Sequence, residues 1–145
     1  MKGLLRWLLL ALLFNGIWEL GHLPLFTLWT DPDPWKIAFY VGHCLIGDGL
    51  IAGAVFLIIA ILFRNMNWPR HQPWLGGGMF ILLAVSYTAY SEWHNVYVNG
   101  SWAYNDSMPL IAGIGLTPLL QWIVVPVVMV AVHRNMLTRS DIFGE

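Results

Sequence analysis

Seven residues in this chain combine an ionisable side chain with an improbable setting: Glu19, His22, His43, Asp48, Glu92, His94 and Asp106. Glu19 and His22 are three positions apart, so a helix would put both on one face, the Glu-x-x-His spacing that brings a carboxylate and an imidazole to a shared metal in helical bundles. Two chemistries follow. In the first, Glu19, His22, His43, Glu92 and His94 supply imidazole and carboxylate ligands to zinc or non-haem iron, with Asp48 close by, and an open position activates water or dioxygen. In the second, Glu19, His22, His43 and Asp48 transfer protons without a metal, because a carboxyl group out of water holds a proton that a histidine or a second carboxylate can exchange. Bis-histidine haem b through His22 and His43 is a less economical third, since it leaves the carboxylates unused.

What makes the setting improbable is the surrounding composition. Of 145 residues, 58% are hydrophobic and only 10% are charged, against about 25% charged in soluble domains. The mean hydropathy is +0.64. One soluble core cannot hide that much apolar surface, so lipid must face part of it. Seven Lys and Arg against eight Asp and Glu give a net charge of -1. With no basic face to neutralise phosphates, nucleic acid is excluded as a partner. A single cysteine, Cys44, rules out an internal disulfide and any cysteine-based metal knuckle.

The elements that must position the seven residues are membrane helices, each needing about 20 apolar residues. Four stretches qualify: Leu4 to Phe26, Ile37 to Phe63, Trp74 to Trp93 and Met108 to His133. The expected fold is an all-α, four-transmembrane-helix bundle forming one integral membrane domain over 1–145, with a short tail over 134–145. Lys2, Arg6, Arg64, Arg70, Arg134 and Arg139 fall on one side of such a weave and only Lys36 on the other. The positive-inside rule then predicts cytoplasmic termini in a plasma or bacterial inner membrane. Trp7, Trp68 and Trp74 are read as an inner aromatic belt, Trp29, Trp35, Trp93 and Trp102 as an outer one.

In this topology every one of the seven residues lies in the outer half. At about 1.5 Å per residue, Glu19 sits roughly 6 Å beyond the midplane, His22 and His43 roughly 10 Å, and Asp48 roughly 3 Å. Buried ionisable groups cost about 2.5 to 3.5 kcal/mol each on insertion scales, so they face the bundle interior and mark function. Glu19, His22, His43 and Asp48 are therefore expected to share one polar pocket. On the third span Tyr87, Tyr90 and His94 form one stripe, which leaves Glu92 as a boundary residue. Asp106 is read as a cap for the fourth span, and His71 and His133 as solvent-side residues. Glycines at 42, 47, 49, 53, 76–78, 113 and 115 permit close helix contact and a homo-oligomer.

The reading is a small membrane enzyme acting on a lipid-soluble molecule by metal-assisted or acid-base chemistry. The rival reading is a binding, transport or assembly subunit in which the same polar residues are packing glue or hold an ion.

Overall fold

The computed structural model describes residues 2–143, with side chains over 3–135. The side chains of Lys2 and Arg139, two of the six residues behind the charge bias, lie outside the described residues, as do Gly144 and Glu145. Four long helices carry the architecture: α1 (Lys2–His22), α2 (Pro34–Leu62), α4 (Pro73–Trp93) and α5 (Leu116–Phe143), with a four-residue α3 (Trp68–His71) between α2 and α4. They form a ring in which α1 packs on α2 and α5, and α4 on α5 and α2. Three are long and apolar enough to cross a membrane: Gly3–Leu25, Pro34–Leu62 and Leu116–Asn135. In α4 the apolar content is diluted by Gly76 to Gly78, Ser86, Thr88, Ser91 and Glu92.

Local chemistry sets the boundaries. Pro24 opens a 3-10 turn, Leu23–Leu25, that ends α1 at His22. Asp33 caps α2 by accepting the Trp35 N–H at 2.9 Å, with Pro34 in the first position, where a missing N–H costs nothing. Two boundaries differ from expectation. Helix α5 begins at Leu116, not Met108, and runs on through 134–143. The apolar stretch before it is spent on a two-residue hairpin, Leu110–Ile111 paired antiparallel with Ile114–Gly115. Its turn residues Ala112 and Gly113 both take positive φ, 50° and 82°, as tight hairpins require. Asp106 is exposed and ten residues from that helix start, so it caps nothing there.

The ends of the bundle differ in kind. At the end carrying the start of α1 and α3, an aromatic block fills the core: Trp7, Phe56, Trp68 and Phe80 are fully buried, and the Trp7 ring stands 5.3 to 5.5 Å from the other three. Gly76 makes room for it, since a Cβ there would lie 2.3 Å from the Trp68 ring. Trp7 and Trp68 are thus core residues and not members of a belt, whereas Trp35 and Trp74, at 82% and 87% exposure, do face outward. His133 is likewise corrected: it is 1% exposed and edge-on to Trp7 at 5.8 Å, not at a solvent boundary. His71 is exposed, as read from the sequence. Gly49 and Gly53 serve the α1–α2 contact, where Leu12 and Leu8 side chains approach to 3.2 Å of their Cβ positions.

Candidate functional site

At the opposite end the bundle is hollow. A cavity of about 590 Å³ lies among α1, α2, α4 and α5, and Glu19, His22, His43, Asp48 and Glu92 all line it. That volume is in the range of small-molecule sites, about 300 to 1,000 Å³.

The polar wall is built around one amide. The Gln121 Nε2 donates at 3.0 Å to Asn15 Oδ1, at 3.3 Å to Glu19 Oε1 and at 2.9 Å to Asp48 Oδ2. Asn15 is held by its own Nδ2 donating to the Ala11 carbonyl at 2.9 Å. Glu19 turns its other oxygen to His22 Nε2 at 3.2 Å, the contact that i,i+3 spacing implies. Asp48 and Glu19 also interact carboxyl to carboxyl. An amide carries two hydrogens, and three oxygens crowd it.

The facing wall comes from α4. Its buried positions Gly76, Phe80, Ala84, Thr88 and Glu92 repeat every fourth residue, so Glu92 continues an interior stripe and is 8% exposed. It is an interior residue rather than the boundary residue inferred from the Tyr87, Tyr90, His94 stripe. Glu92 Oε2 accepts from Tyr104 Oη at 2.6 Å and from Trp102 Nε1 at 3.4 Å. Tyr104 can reach it because Gly115 has no side chain: a Cβ there would meet the Tyr104 ring at 2.9 Å. Burial and the Glu92 carboxyl push the Tyr104 phenol above its ordinary pKa, since both disfavour a phenolate.

Two expected ligands are not part of this cluster. His43 stands on the exposed rim of the cavity, stacked on Phe39 at 6.1 Å, away from the Gln121 network. His94 lies outside the cavity: it packs on Tyr90 at 5.8 Å and its Nδ1 meets Asn99 Nδ2 at 3.2 Å, in a π-helical turn, His94–Val98, that follows α4. Among the described residues no three of His, Cys, Asp and Glu are grouped so as to hold a metal ion. Asn15 and Gln121 were not singled out as site residues, although Asn15 continues the Trp7, Ala11 stripe of α1 at four-residue steps, which is the signal that finds it. Two residues that line the cavity each carry a fully buried polar atom, His22 Nδ1 and Thr88 Oγ1, with no hydrogen-bond partner among the described residues.

No protein-family model matches this chain, and no curated protein or solved structure matches it either.

Proposed function

We propose that this chain is a small integral membrane enzyme that moves protons on a lipid-soluble substrate, with the Glu19, Asp48 and His22 cluster on one wall and Glu92 on the other. The observation that carries the reading is the convergence of three carboxyl groups and His22, from three helices, on a cavity whose remaining lining is largely apolar. The reaction class is isomerisation. A carboxyl O–H of the Glu19/Asp48 pair gives its proton to one carbon of a double bond, and a neighbouring C–H gives its proton to Glu92, so atoms and charge balance without an oxidant or co-substrate. Gln121 and Asn15 position the donor pair.

A metal-assisted variant with zinc or non-haem iron has weaker support, because Glu19 and His22 bond to each other while His43 and His94 stand apart. Haem b through His22 and His43 meets the same objection. A stoichiometric metal or a haem spectrum in the purified protein would reverse that preference. The membrane topology belongs to the proposal: α4 also crosses the membrane, as the third of four spans, both termini are cytoplasmic, and the open glycines 42 and 78 allow a second copy to approach. Outer-side thiol labelling in a Cys44→Ala background should modify Asn99→Cys and spare Met66→Cys; the opposite pattern inverts the topology.

The test of the chemistry uses solvent as the tracer. Protein in nanodiscs is incubated with a total membrane-lipid extract in deuterated water. A non-exchangeable deuteron should enter one lipid component with wild type and not with Asp48→Asn. Equal incorporation by both, or none by either, removes the proposed role.

A further inference from the structure

The cavity has two boundaries of opposite character. Over the loop end lies a strap of residues 102–105. The Thr27 N–H donates to the Ala103 carbonyl at 3.0 Å and the Asn105 N–H to the Leu25 carbonyl at 3.0 Å. Trp102 and Tyr104 bond to Glu92 from the same strap. Backbone pairing therefore narrows the loop end to water and protons and bars it to a lipid-sized molecule.

Between α2 and α4 the wall is thin. Leu50, Ala54 and Ile58 follow one another at four-residue steps on α2; all three line the cavity and all three are exposed on the outside of the bundle. Leu83 and Tyr87 do the same on α4, at 36% and 53% exposure. Leu50 and Leu83 lie near the middle of their helices, with Ala54 one turn along from Leu50, and α2 has the highest mean hydropathy of the membrane-length helices, 2.5. An opening at that level faces hydrocarbon and not water. Ala54, the smallest of the five, sits where a larger side chain would close it. The cavity lining holds three carboxyl groups and no lysine or arginine, so a phosphate or carboxylate would enter against like charge with no permanent cation to pair with.

From this arrangement we infer that the gap between α2 and α4 is a side portal, through which an uncharged single-tailed lipid bearing a hydroxyl group passes from the bilayer to the acid cluster. The inference deepens the proposed function, since it assumes that the acid cluster is where the polar end of the molecule comes to rest. The hydroxyl donates to a carboxyl oxygen, and the tail follows α2 from Asp48 toward Ile58, about 15 Å at 1.5 Å per residue.

The experiment measures occupancy and needs no turnover. A long-chain primary alcohol carrying a mid-chain diazirine is mixed into phosphatidylcholine nanodiscs holding the full chain, photolysed, and its adducts are mapped by mass spectrometry. Adducts should concentrate on Leu50, Ile58 and Leu83, relative to Leu9 and Val127 on other exposed faces. Ala54→Trp should lower the portal adducts at least about tenfold and leave those on Leu9 and Val127 unchanged. Leu83→Trp closes the gap from the α4 side and gives the same result if Ala54→Trp fails to fold. The matching fatty acid, ionised, should label the portal at least about tenfold less than the alcohol. Adducts spread evenly over the exposed faces, or portal adducts indifferent to both tryptophans, would refute the portal; equal labelling by the acid would refute the selection by charge. Portal labelling without deuterium incorporation removes the proton chemistry and keeps the portal, while the reverse removes the portal alone.

Discussion

Replacing Gln121 with leucine keeps nearly the same volume and deletes the one amide that ties α5 to α1 and α2. Its Nε2 lies within 3.3 Å of oxygens on Asn15, Glu19 and Asp48, and two hydrogens satisfy two of these at a time. A neutral hydrogen bond contributes about 1 kcal/mol net and one to a charged group about 1.5 to 3 kcal/mol, so the variant should lose about 3 kcal/mol. Gln121 is 2% exposed, so water does not replace the lost donor. For a chain near this size about 1 kcal/mol moves the melting temperature by about 2 to 4 °C, which puts Gln121→Leu about 6 to 12 °C below wild type. Unfolding in nanodiscs can be followed by intrinsic fluorescence from the nine tryptophans. A double-mutant cycle sharpens the test: in an Asp48→Asn background the cost of Gln121→Leu should fall by at least about 1 kcal/mol, because the pair then shares its loss. A melting point within about 2 °C of wild type, or strictly additive costs, would show that the amide does not hold the acid cluster together.

Gly76→Ala should cost about 1 to 3 kcal/mol by forcing a methyl against the Trp68 ring, while Gly78→Ala, with nothing within 4 Å of its Cβ, should be neutral or stabilising. Paired thermal melts of the two variants check this. Tyr104→Phe should remove a charge-assisted bond of about 1.5 to 3 kcal/mol and uncover Glu92. The Tyr104 phenol has a folded pKa above its unfolded one, so its contribution is fully present below about pH 10 and is lost as pH rises through the higher folded value. Chemical unfolding between pH 8 and 11 should show a falling limb that is shallower in Tyr104→Phe. Asp31→Asn removes the charge from the 2.6 Å contact with Lys36 and should change the melting temperature little, because the Lys36 ammonium is half exposed and the pair is screened by solvent.

The helical architecture was legible because long apolar runs have few other solutions, and the stops at Pro24, Asp33 and Pro34 carry their own local signals. Glu19 and His22 were legible as a pair because three-residue spacing fixes a shared face. The start of α5 was not: residues 108–115 are as apolar as a helix end, and only the left-handed conformation at Ala112 and Gly113 reveals a hairpin. Gln121 escaped because a neutral amide carries no insertion penalty large enough to flag it, and its partners Asn15, Glu19 and Asp48 are 73 to 106 positions away. Glu92 and His133 lie on four-residue stripes, Phe80, Ala84, Thr88 on α4 and Val125, Met129 on α5, that carry each of them inward; the Tyr87, Tyr90, His94 stripe and the place of His133 at a span edge point the other way. His43 shows the converse, since depth alone says nothing of which way a side chain turns.

The packing of Trp7 against Trp68, with centroids 5.5 Å apart and ring planes at 62°, also has an optical consequence. Two indoles so close and so inclined have coupled electronic transitions, and both are shielded from solvent. The far-ultraviolet circular dichroism should carry a bisignate band from the intense transitions of this pair, and the emission of these two indoles should be blue-shifted. Phe80 also meets this block, so the band reports how the start of α4 seats against α1. It gives the tightly packed end of the bundle a label-free signal of its own, readable while ligands are titrated into the hollow one.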